Sequence, residues 1–313
     1  MRILRIVLVA TAGIVVGLVL LVTLASAAYN LSTSDPNVPV QKLWHGKFVR
    51  TDGYLTAYRE WGNRGTPAVL IGGFLEPTFV WARVAPLLAR GFHVYALDLD
   101  GFGYTERHGP WTLAHWGDQV QAFMRARGIK QPVVIGHSLG AAVAVEMARR
   151  HLASGVVLVD GDALRSGGPP RIVRTVLASS PYFTTVYRFL LRSPWAIRRM
   201  LRTAYGTYHP ALDAAEVGRW TKPFRATGAR HALQGIAKDG IPGFSHAELR
   251  RVKTPALVLW GAGDTIDSSS EGRKSARDLQ ARFVEVPRAG HLSMFASPQR
   301  IANAVSTHFP HGG

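Results

Sequence analysis

Cysteine is absent from the 313-residue chain, which excludes disulfides, thiolate metal sites and cysteine nucleophiles. The 12 histidines are scattered along the sequence and show no helical i, i+4 pairing beside a glutamate, so we expect no metal site. The segment GFGYTE at 101–106 lacks the third glycine of a dinucleotide-binding loop, and no other cofactor fingerprint is present. We therefore expect chemistry that uses no metal and no cofactor.

Acidic residues are also scarce: 20 Asp and Glu stand against 37 Lys and Arg, which gives a net charge of +17. Such an excess attracts polyanions, among them nucleic acid, anionic lipid and acidic envelope polymers. No nucleic-acid-binding module is recognisable, so we expect no nucleic-acid partner. A membrane surface fits the charge better, because the sequence begins with a long apolar segment.

That apolar segment carries no charged residue from Ile6 to Ala28. As a helix it would be about 34 Å long, enough to cross a hydrocarbon core of about 30 Å. Arg2 and Arg5 precede it, which predicts a cytoplasmic N-terminus and an extracytoplasmic body. We interpret residues 1–29 as a transmembrane anchor. The alternative is a signal sequence cleaved at the small residues 25–27, after which the protein would be secreted.

The remainder alternates short apolar runs with helical patterns, as expected for an α/β domain at 43–313 with a mostly parallel sheet covered by helices on both faces. Residues 30–42 are polar and contain proline, which is typical of a linker. The run FVWARVAPLLAR at 79–90 has helical spacing, with Pro86 marking a bend or boundary. Residues 161 to about 250 break the alternation and hold 16 basic and 5 acidic residues up to Lys253. We interpret them as an inserted, mainly helical lid.

The sequence GHSLG at 136–140 follows the apolar run VVI and precedes a helical pattern. This strand–turn–helix setting is that of a nucleophile elbow, in which Ser138 would be held in a sharp turn with its hydroxyl exposed. The alternative is a structural turn of small residues. A serine hydroxyl needs a base, and the base needs an orienting carboxylate. His291 follows a predicted strand, and Asp264 ends another, so both are candidates for these roles.

Together with GHSLG, the segments GGF, DLDGFG, LVLWGAGD and RAGHLSMF resemble the α/β-hydrolase family in order and spacing, in its lid-bearing esterase, lipase and haloperoxidase-like branch. The resemblance covers nearly everything after residue 45. It implies a catalytic triad of Ser138, Asp264 and His291. Alternatives are a capping or surface role for His291, and Asp267, Asp160 or Asp162 as the acid.

The resemblance also implies that an oxyanion hole forms from the backbone N–H groups of Leu139 and Phe74. The family usually has His-Gly before the latter residue, whereas this chain has Gly72 and Gly73, so a looser loop is expected. His137 is interpreted as structural. Other residues near these motifs are Asp98 and Asp100, expected to shape their loop, and Trp81, expected in the core or the pocket wall.

These observations predict a serine hydrolase that cleaves carboxylic esters, with lipid esters and thioesters as candidate substrates. The basic lid and the N-terminal helix suggest an anionic or membrane-derived substrate. One alternative is carbon–carbon bond hydrolysis or perhydrolysis by the same triad. Another is a non-catalytic, membrane-tethered binding protein on the same fold.

Overall fold

The computed structural model describes residues 2–165 and 167–310. Its centre is an eight-stranded sheet with the order β1-β2-β4-β3-β5-β6-β7-β8. The strands are β1 Lys47–Thr51, β2 Tyr54–Trp61, β3 Thr66–Ile71, β4 Phe92–Leu97, β5 Val133–His137, β6 Gly155–Val159, β7 Ala256–Gly261 and β8 Arg282–Val286. β1 and β2 pair antiparallel, and the other six strands are mutually parallel. The predicted mostly parallel α/β sheet is confirmed.

Fourteen helices are found in the described residues: α1 Arg2–Ser32, α2 Val40–Leu43, α3 Ala85–Leu88, α4 Leu113–Arg127, α5 Leu139–Arg149, α6 Arg171–Ser179, α7 Pro181–Arg192, α8 Pro194–Tyr205, α9 Ala214–Thr221, α10 Ala229–Asp239, α11 His246–Leu249, α12 Ser269–Asp278, α13 Ser293–Ala296 and α14 Pro298–His308. Two 3₁₀ turns lie at Thr78–Trp81 and Lys222–Arg225. Helices α6 to α11 lie between β6 and β7, and residues 161–250 are called the helical insertion below.

The central strands are buried on both faces, which explains their unbroken apolar sequence. Every residue of β5 and of β6 is buried. Side chains alternate between two cores because successive residues of a strand point to opposite faces. Val134 packs in the core with Trp116 of α4, and Ile135 packs in the core with Ile301 of α14. Helices therefore cover both faces of the sheet.

Proline decides how one predicted helix folds. The run at 79–90 forms the 3₁₀ turn Thr78–Trp81 and the separate four-residue helix α3. Pro86 lies in the first turn of α3, where its missing N–H costs no helical hydrogen bond. Within a continuous helix the same residue would remove a hydrogen bond and clash with the preceding turn. The predicted boundary thus separates two short pieces.

The segment predicted as a linker is held against the helical insertion. Helix α1 continues to Ser32, and the Val38 N–H donates to the Arg225 carbonyl at 3.1 Å. Asp35 accepts hydrogen bonds from Arg188 at 2.7 Å and from Arg230 at 2.5 Å. Residues 30–42 therefore link α1 to the insertion through specific contacts.

Candidate active site

Ser138 stands at the turn between β5 and α5, in a strained backbone conformation. Its φ is 48° and its ψ is −119°, a region that residues with a Cβ rarely adopt. No side chain fits at either of the flanking glycines, Gly136 and Gly140. A Cβ on Gly136 would lie 2.0 Å from the Gly140 carbonyl oxygen, and a Cβ on Gly140 would lie 2.6 Å from the Ile71 oxygen. The half-buried Ser138 side chain thus lies in a crowded turn at the carboxyl end of the central strand β5.

His291 and Asp264 meet on the loops that follow β8 and β7. His291 Nδ1 lies 2.9 Å from Asp264 Oδ2. The second oxygen of Asp264 accepts the N–H groups of Ile266 at 2.9 Å and Asp267 at 3.1 Å. These bonds fix the carboxylate, whose side chain is 1% exposed. Since Nδ1 is engaged with Asp264, Nε2 is the nitrogen left to exchange protons.

Ser138 and His291 line the same cavity. Within the described part of the chain, the Ser138 hydroxyl has no hydrogen-bond partner. Catalytic hydrogen bonds are often long without substrate and shorten when it binds. The arrangement is therefore compatible with His291 acting as the base for Ser138.

The other candidate acids have different partners. Asp160 accepts the N–H groups of Gly261 at 2.6 Å and of Ser293 at 3.2 Å. Asp162 accepts the Leu164 N–H at 2.8 Å. For Asp267, burial and the neighbouring Asp264 charge raise the carboxyl pKa. Among the described carboxylates, Asp264 is the one hydrogen-bonded to the His291 ring.

The GGF loop lies directly against Ser138. A Cβ on Gly73 would come within 2.8 Å of the Ser138 Cβ, so glycine is needed for this approach. The N–H groups of Phe74 and Leu139 have no acceptor within residues 2–165 and 167–310. Two unpaired backbone donors on either side of a nucleophile are what an oxyanion hole requires. The structure thus brings both sequence-predicted donors to the candidate nucleophile.

Glu76 is a site residue that the sequence reasoning missed. Its Oε2 accepts the Gly73 N–H at 2.6 Å and lies 2.7 Å from His137 Nδ1. The opposite nitrogen of His137 lies 2.7 Å from the His291 carbonyl oxygen. Through these bonds the buried Glu76 and His137 side chains connect the GGF loop, the turn at Ser138 and the loop that carries His291.

Glu76 also accounts for the glycine at position 72. A Cβ on Gly72 would lie 3.0 Å from the Glu76 carbonyl oxygen and 3.1 Å from its Cβ. A larger residue there would displace the Glu76 backbone. In the structure a carboxylate ties this loop to His137, and the expectation of a looser loop stays a prediction. A single acidic residue within the apolar run IGGFLEPTFVW was the signal available in the sequence.

Neighbouring charges stabilise the buried pair of Glu76 and His137. Burial by itself would lower the pKa of His137, but the Glu76 and Asp160 carboxylates outweigh it and raise that pKa to about 9. Protonated His137 donates through both ring nitrogens, to Glu76 and to the His291 carbonyl. Burial raises the pKa of Asp160 to about 6 although His137 lies 3.8 Å away. His137 is therefore a structural cation next to the candidate base.

Two cavities meet at Ser138 and Phe74. One, of about 660 Å³, is mainly apolar and runs under α8; its wall includes Leu190, Trp195, Ile197, Leu201, Trp220 and Leu292. The other, of about 590 Å³, is more polar and lies on the α5 side; its wall includes Asp162, Arg165, Ser245, His246 and Glu271. A molecule that spans both cavities would have an apolar part and a polar part on different sides of Ser138.

The remaining predicted residues shape the scaffold. Asp98 accepts the N–H groups of Thr78 at 2.5 Å and Tyr104 at 2.7 Å. Asp100 accepts Trp111 Nε1–H at 2.9 Å and lies 2.8 Å from His115 Nε2. Trp81 is fully buried in the core and lines neither cavity at Ser138. No cluster of three potential metal ligands is present in the described residues.

Comparisons with known proteins agree with this architecture. The model of the alpha/beta hydrolase family matches residues 68–304. YugF, an uncharacterized hydrolase of Bacillus subtilis, is 25% identical over 262 residues, which cover 82% of this chain and 94% of that protein. The bifunctional esterase/perhydrolase DCH of Acinetobacter calcoaceticus is 26% identical over 259 residues, covering 79% and 92% of the two chains.

A solved structure resembles the chain over its whole length. The crystal structure of a membrane phospholipase A, described as a novel bacterial virulence factor, has a TM-score of 0.68 and 22% sequence identity to this chain. The superposition covers 98% of both chains. At this identity the likeness concerns the fold.

Proposed function

The chain belongs to the alpha/beta hydrolase family, and we propose that it is a membrane-anchored serine hydrolase that cleaves carboxylic esters. The observation that carries the proposal is the His291–Asp264 hydrogen bond of 2.9 Å, beside a cavity that Ser138 shares with His291. The strained elbow and the two unpaired N–H donors support it further. Hydrolase activity follows from the family; the ester substrate and the roles below are our inference.

In the proposed reaction, Ser138 Oγ attacks the acyl carbon while His291 Nε2 takes the hydroxyl proton. Asp264 holds the Nδ1–H tautomer and stabilises the imidazolium that forms. The oxyanion of the tetrahedral intermediate accepts hydrogen bonds from the Phe74 and Leu139 N–H groups. His291 then protonates the leaving alcohol, and the acyl group remains on Ser138. A water molecule, deprotonated by His291, releases the carboxylic acid and restores the serine.

The two cavities support an ester with unlike halves. We assign the acyl chain to the apolar cavity under α8, whose volume of about 660 Å³ is in the range that holds small-molecule ligands. The alcohol would occupy the more polar cavity beside Asp162 and Arg165. Lipid esters fit this division, and thioesters would react by the same steps.

Membrane attachment is proposed for α1. Within Arg5–Ser32 the most apolar stretch of 18 residues has a mean hydropathy of 2.8, and most side chains of this helix are exposed. The preceding arginines favour a cytoplasmic N-terminus, with residues 43–313 as an extracytoplasmic catalytic domain. Cleavage at residues 25–27 would separate α1 from α7, where Ser26 Oγ lies 2.5 Å from Thr185 Oγ1. This contact supports a retained anchor over a secreted form, and the intact mass of the membrane-extracted protein would test it.

Perhydrolysis by the same residues is the second candidate, because DCH is named as both an esterase and a perhydrolase. Carbon–carbon bond hydrolysis remains an alternative within the family. A non-catalytic binding protein is disfavoured by the paired His291 and Asp264 and by the strained Ser138. A panel of esters, a thioester, hydrogen peroxide with a carboxylic acid, and a vinylogous diketone would separate the reactions.

Labelling with a fluorophosphonate probe tests the enzyme proposal itself. The full-length protein should be labelled, and Ser138→Ala should remove the label while the protein stays folded. Ser270→Ala, on the exposed first turn of α12, is the matched control and should label like the native protein. Labelling that persists in Ser138→Ala would assign the nucleophile elsewhere, and an unlabelled, folded native protein would overturn the proposal.

A further inference from the structure

Exposed apolar side chains are concentrated in one region outside α1. Of the described residues beyond that helix, eleven large apolar side chains are exposed, and nine of them belong to the helical insertion. The other two, Phe74 and Ile266, line the apolar cavity. An apolar surface of this kind marks a site of contact with a partner or a membrane.

Helix α6 presents the densest part of this surface. Ile172, Val173, Val176 and Leu177 are 42% to 70% exposed and recur at the i, i+1, i+4, i+5 spacing of one helix face. On the opposite side of the helix, Ala178 is buried. The exposed face therefore has no cover within the described chain.

The contacts between α1 and α7 fix the depth of this surface relative to the proposed membrane span. Thr23 is hydrogen-bonded to Tyr182, and Asn30 Nδ2 donates to the Pro181 carbonyl at 2.9 Å. A hydrocarbon core of about 30 Å takes about 20 helical residues, so a span that begins after Arg5 ends near Ala25. The first turn of α7 thus lies at the outer boundary of the hydrocarbon.

Helix α6 ends at Ser179 and α7 begins at Pro181, so the connection between them lies at the same level. Further along, Arg188 donates to the carbonyls of Asn30 and Thr33, which shows that α7 follows α1 away from the span. The α6–α7 connection is therefore the part of the insertion that is closest to the hydrocarbon. We call residues Val176–Tyr182 the insertion tip.

Helix α6 also lies close to the rim of the cavity. Arg174 of α6 donates to the carbonyls of Lys238 at 3.2 Å and Asp239 at 3.0 Å. This places the middle of α6 beside the end of α10, two residues before Ile241. Ile241 is 45% exposed and lines the cavity that contains Ser138.

We propose that the insertion tip enters the outer leaflet around α1 and that the substrate is a lipid ester taken from this leaflet along α6 into the apolar cavity. The occupant of the exposed face is thus the bilayer that α1 spans, because α1 and α7 are in direct contact. The net positive charge of the insertion, with 16 basic and 5 acidic residues up to Lys253, complements anionic headgroups. The substrate part of this inference rests on the proposed ester hydrolysis, whereas the membrane contact does not.

The depth of the tip can be measured because the chain has no cysteine. The full-length variant Leu177→Cys, labelled with an environment-sensitive fluorophore, would be placed in vesicles of phosphatidylcholine and phosphatidylglycerol. We expect quenching by nitroxide lipids and protection from iodide. Lys130→Cys is the control. Lys130 is exposed and precedes the amino end of β5, whereas the insertion follows the carboxyl end of β6. Equal iodide quenching at the two positions would overturn the proposal.

Activity provides a second, independent test. The double variant Val176→Ser/Leu177→Ser should lower hydrolysis of a phospholipid ester in vesicles by about tenfold or more, because two apolar anchors are lost. Hydrolysis of a water-soluble short-chain ester should be unchanged, since neither side chain lines the cavities at Ser138. Equal losses on both substrates, or none on either, would contradict the role of the tip. A native protein inactive on every ester would refute the proposed hydrolysis and leave the depth measurement to decide the membrane contact.

Discussion

Beneath Ser138 lie Glu76 in the loop after β3, His137 at the end of β5 and Asp160 directly after β6. They are at most 7% exposed, and each has at least two hydrogen bonds or close polar contacts. Above Ser138, the helical insertion exposes Leu177 and Trp195 to 59% and 68%. The first region tolerates one arrangement, because a buried polar group left without its partner is costly. The second region leaves large apolar side chains exposed to its surroundings.

This difference separates two requirements of a hydrolase. Transition-state stabilisation needs donors and a base held within fractions of an ångström, and in the proposed mechanism the crowded glycines and paired charges at the strand ends have this role. Substrate access needs a surface that can move or enter another phase. If Ser138 is the nucleophile, as proposed, changes beneath it should act on kcat, and changes in the insertion should act on substrate selection.

The largest effect after loss of the nucleophile is expected at Asp264. Asp264→Asn should lower kcat by roughly 10³–10⁴-fold, because the amide favours the wrong tautomer of His291. Asp267→Asn should lower kcat by less than about tenfold, since Asp264 alone is hydrogen-bonded to the ring. Steady-state kinetics on one soluble ester would measure both. A greater loss in Asp267→Asn would move the acid to that residue.

Glu76 should have the next largest effect. Glu76→Leu removes both the acceptor for the Gly73 N–H and the charge beside His137, so kcat should fall by about 10²-fold, as for a displaced oxyanion donor. Glu76→Gln keeps an acceptor and should lose about tenfold. KM should change little in both, because the oxyanion forms only in the transition state.

Comparison of the two Glu76 variants guards against a folding defect. If Glu76→Leu is unstable, Glu76→Gln alone still tests the prediction through the split between kcat and KM. A rise in KM at constant kcat would show that Glu76 supports substrate binding and leaves the oxyanion loop unaffected.

Alkaline pH should weaken the same pair. His137 has a folded-state pKa of about 9 against an ordinary 6.5, so the folded state holds this proton more tightly than the unfolded state. The resulting stabilisation is complete below about pH 6.5 and is lost as the pH rises through 9, with a magnitude of about 3 kcal/mol. Urea unfolding of the detergent-solubilised chain should show this decline, and Glu76→Gln should show little of it. An equal decline in both proteins would assign it to other groups.

Sequence patterns could predict those site residues whose placement depends on their neighbours in the chain. The elbow around Ser138 needs two glycines between a buried strand and a helix, and GHSLG displays all of these. The strand before Asp264 is likewise marked by the apolar run ALVLW, whereas His291 follows the less apolar strand RFVEV. Glu76 could not be assigned in this way, because its role depends on His137, 61 residues further along the chain.

The helical insertion was less predictable for the same reason. Its contacts with α1 join residues about 150 positions apart, such as Asn30 and Pro181, and its exposed apolar faces look in sequence like buried ones. Amphipathic spacing predicts that a helix face is covered but does not say by what.

The smallest effect is expected where residues 30–42 meet the insertion. Asp35→Asn removes the carboxylate charge that binds Arg188 and Arg230, a partly exposed cluster worth about 1 kcal/mol. Opening of the insertion should therefore be about fivefold more frequent, and tryptic cleavage at its arginines should accelerate by a similar factor.

Asp239→Asn is the matched control, because its partner Arg171 is 77% exposed and the pair should contribute little. The kcat on a soluble ester should stay within about twofold of the native value. A loss of kcat as large as that in Glu76→Gln would show that the insertion and the strand ends are mechanically coupled, and the separation of access from chemistry would then be wrong.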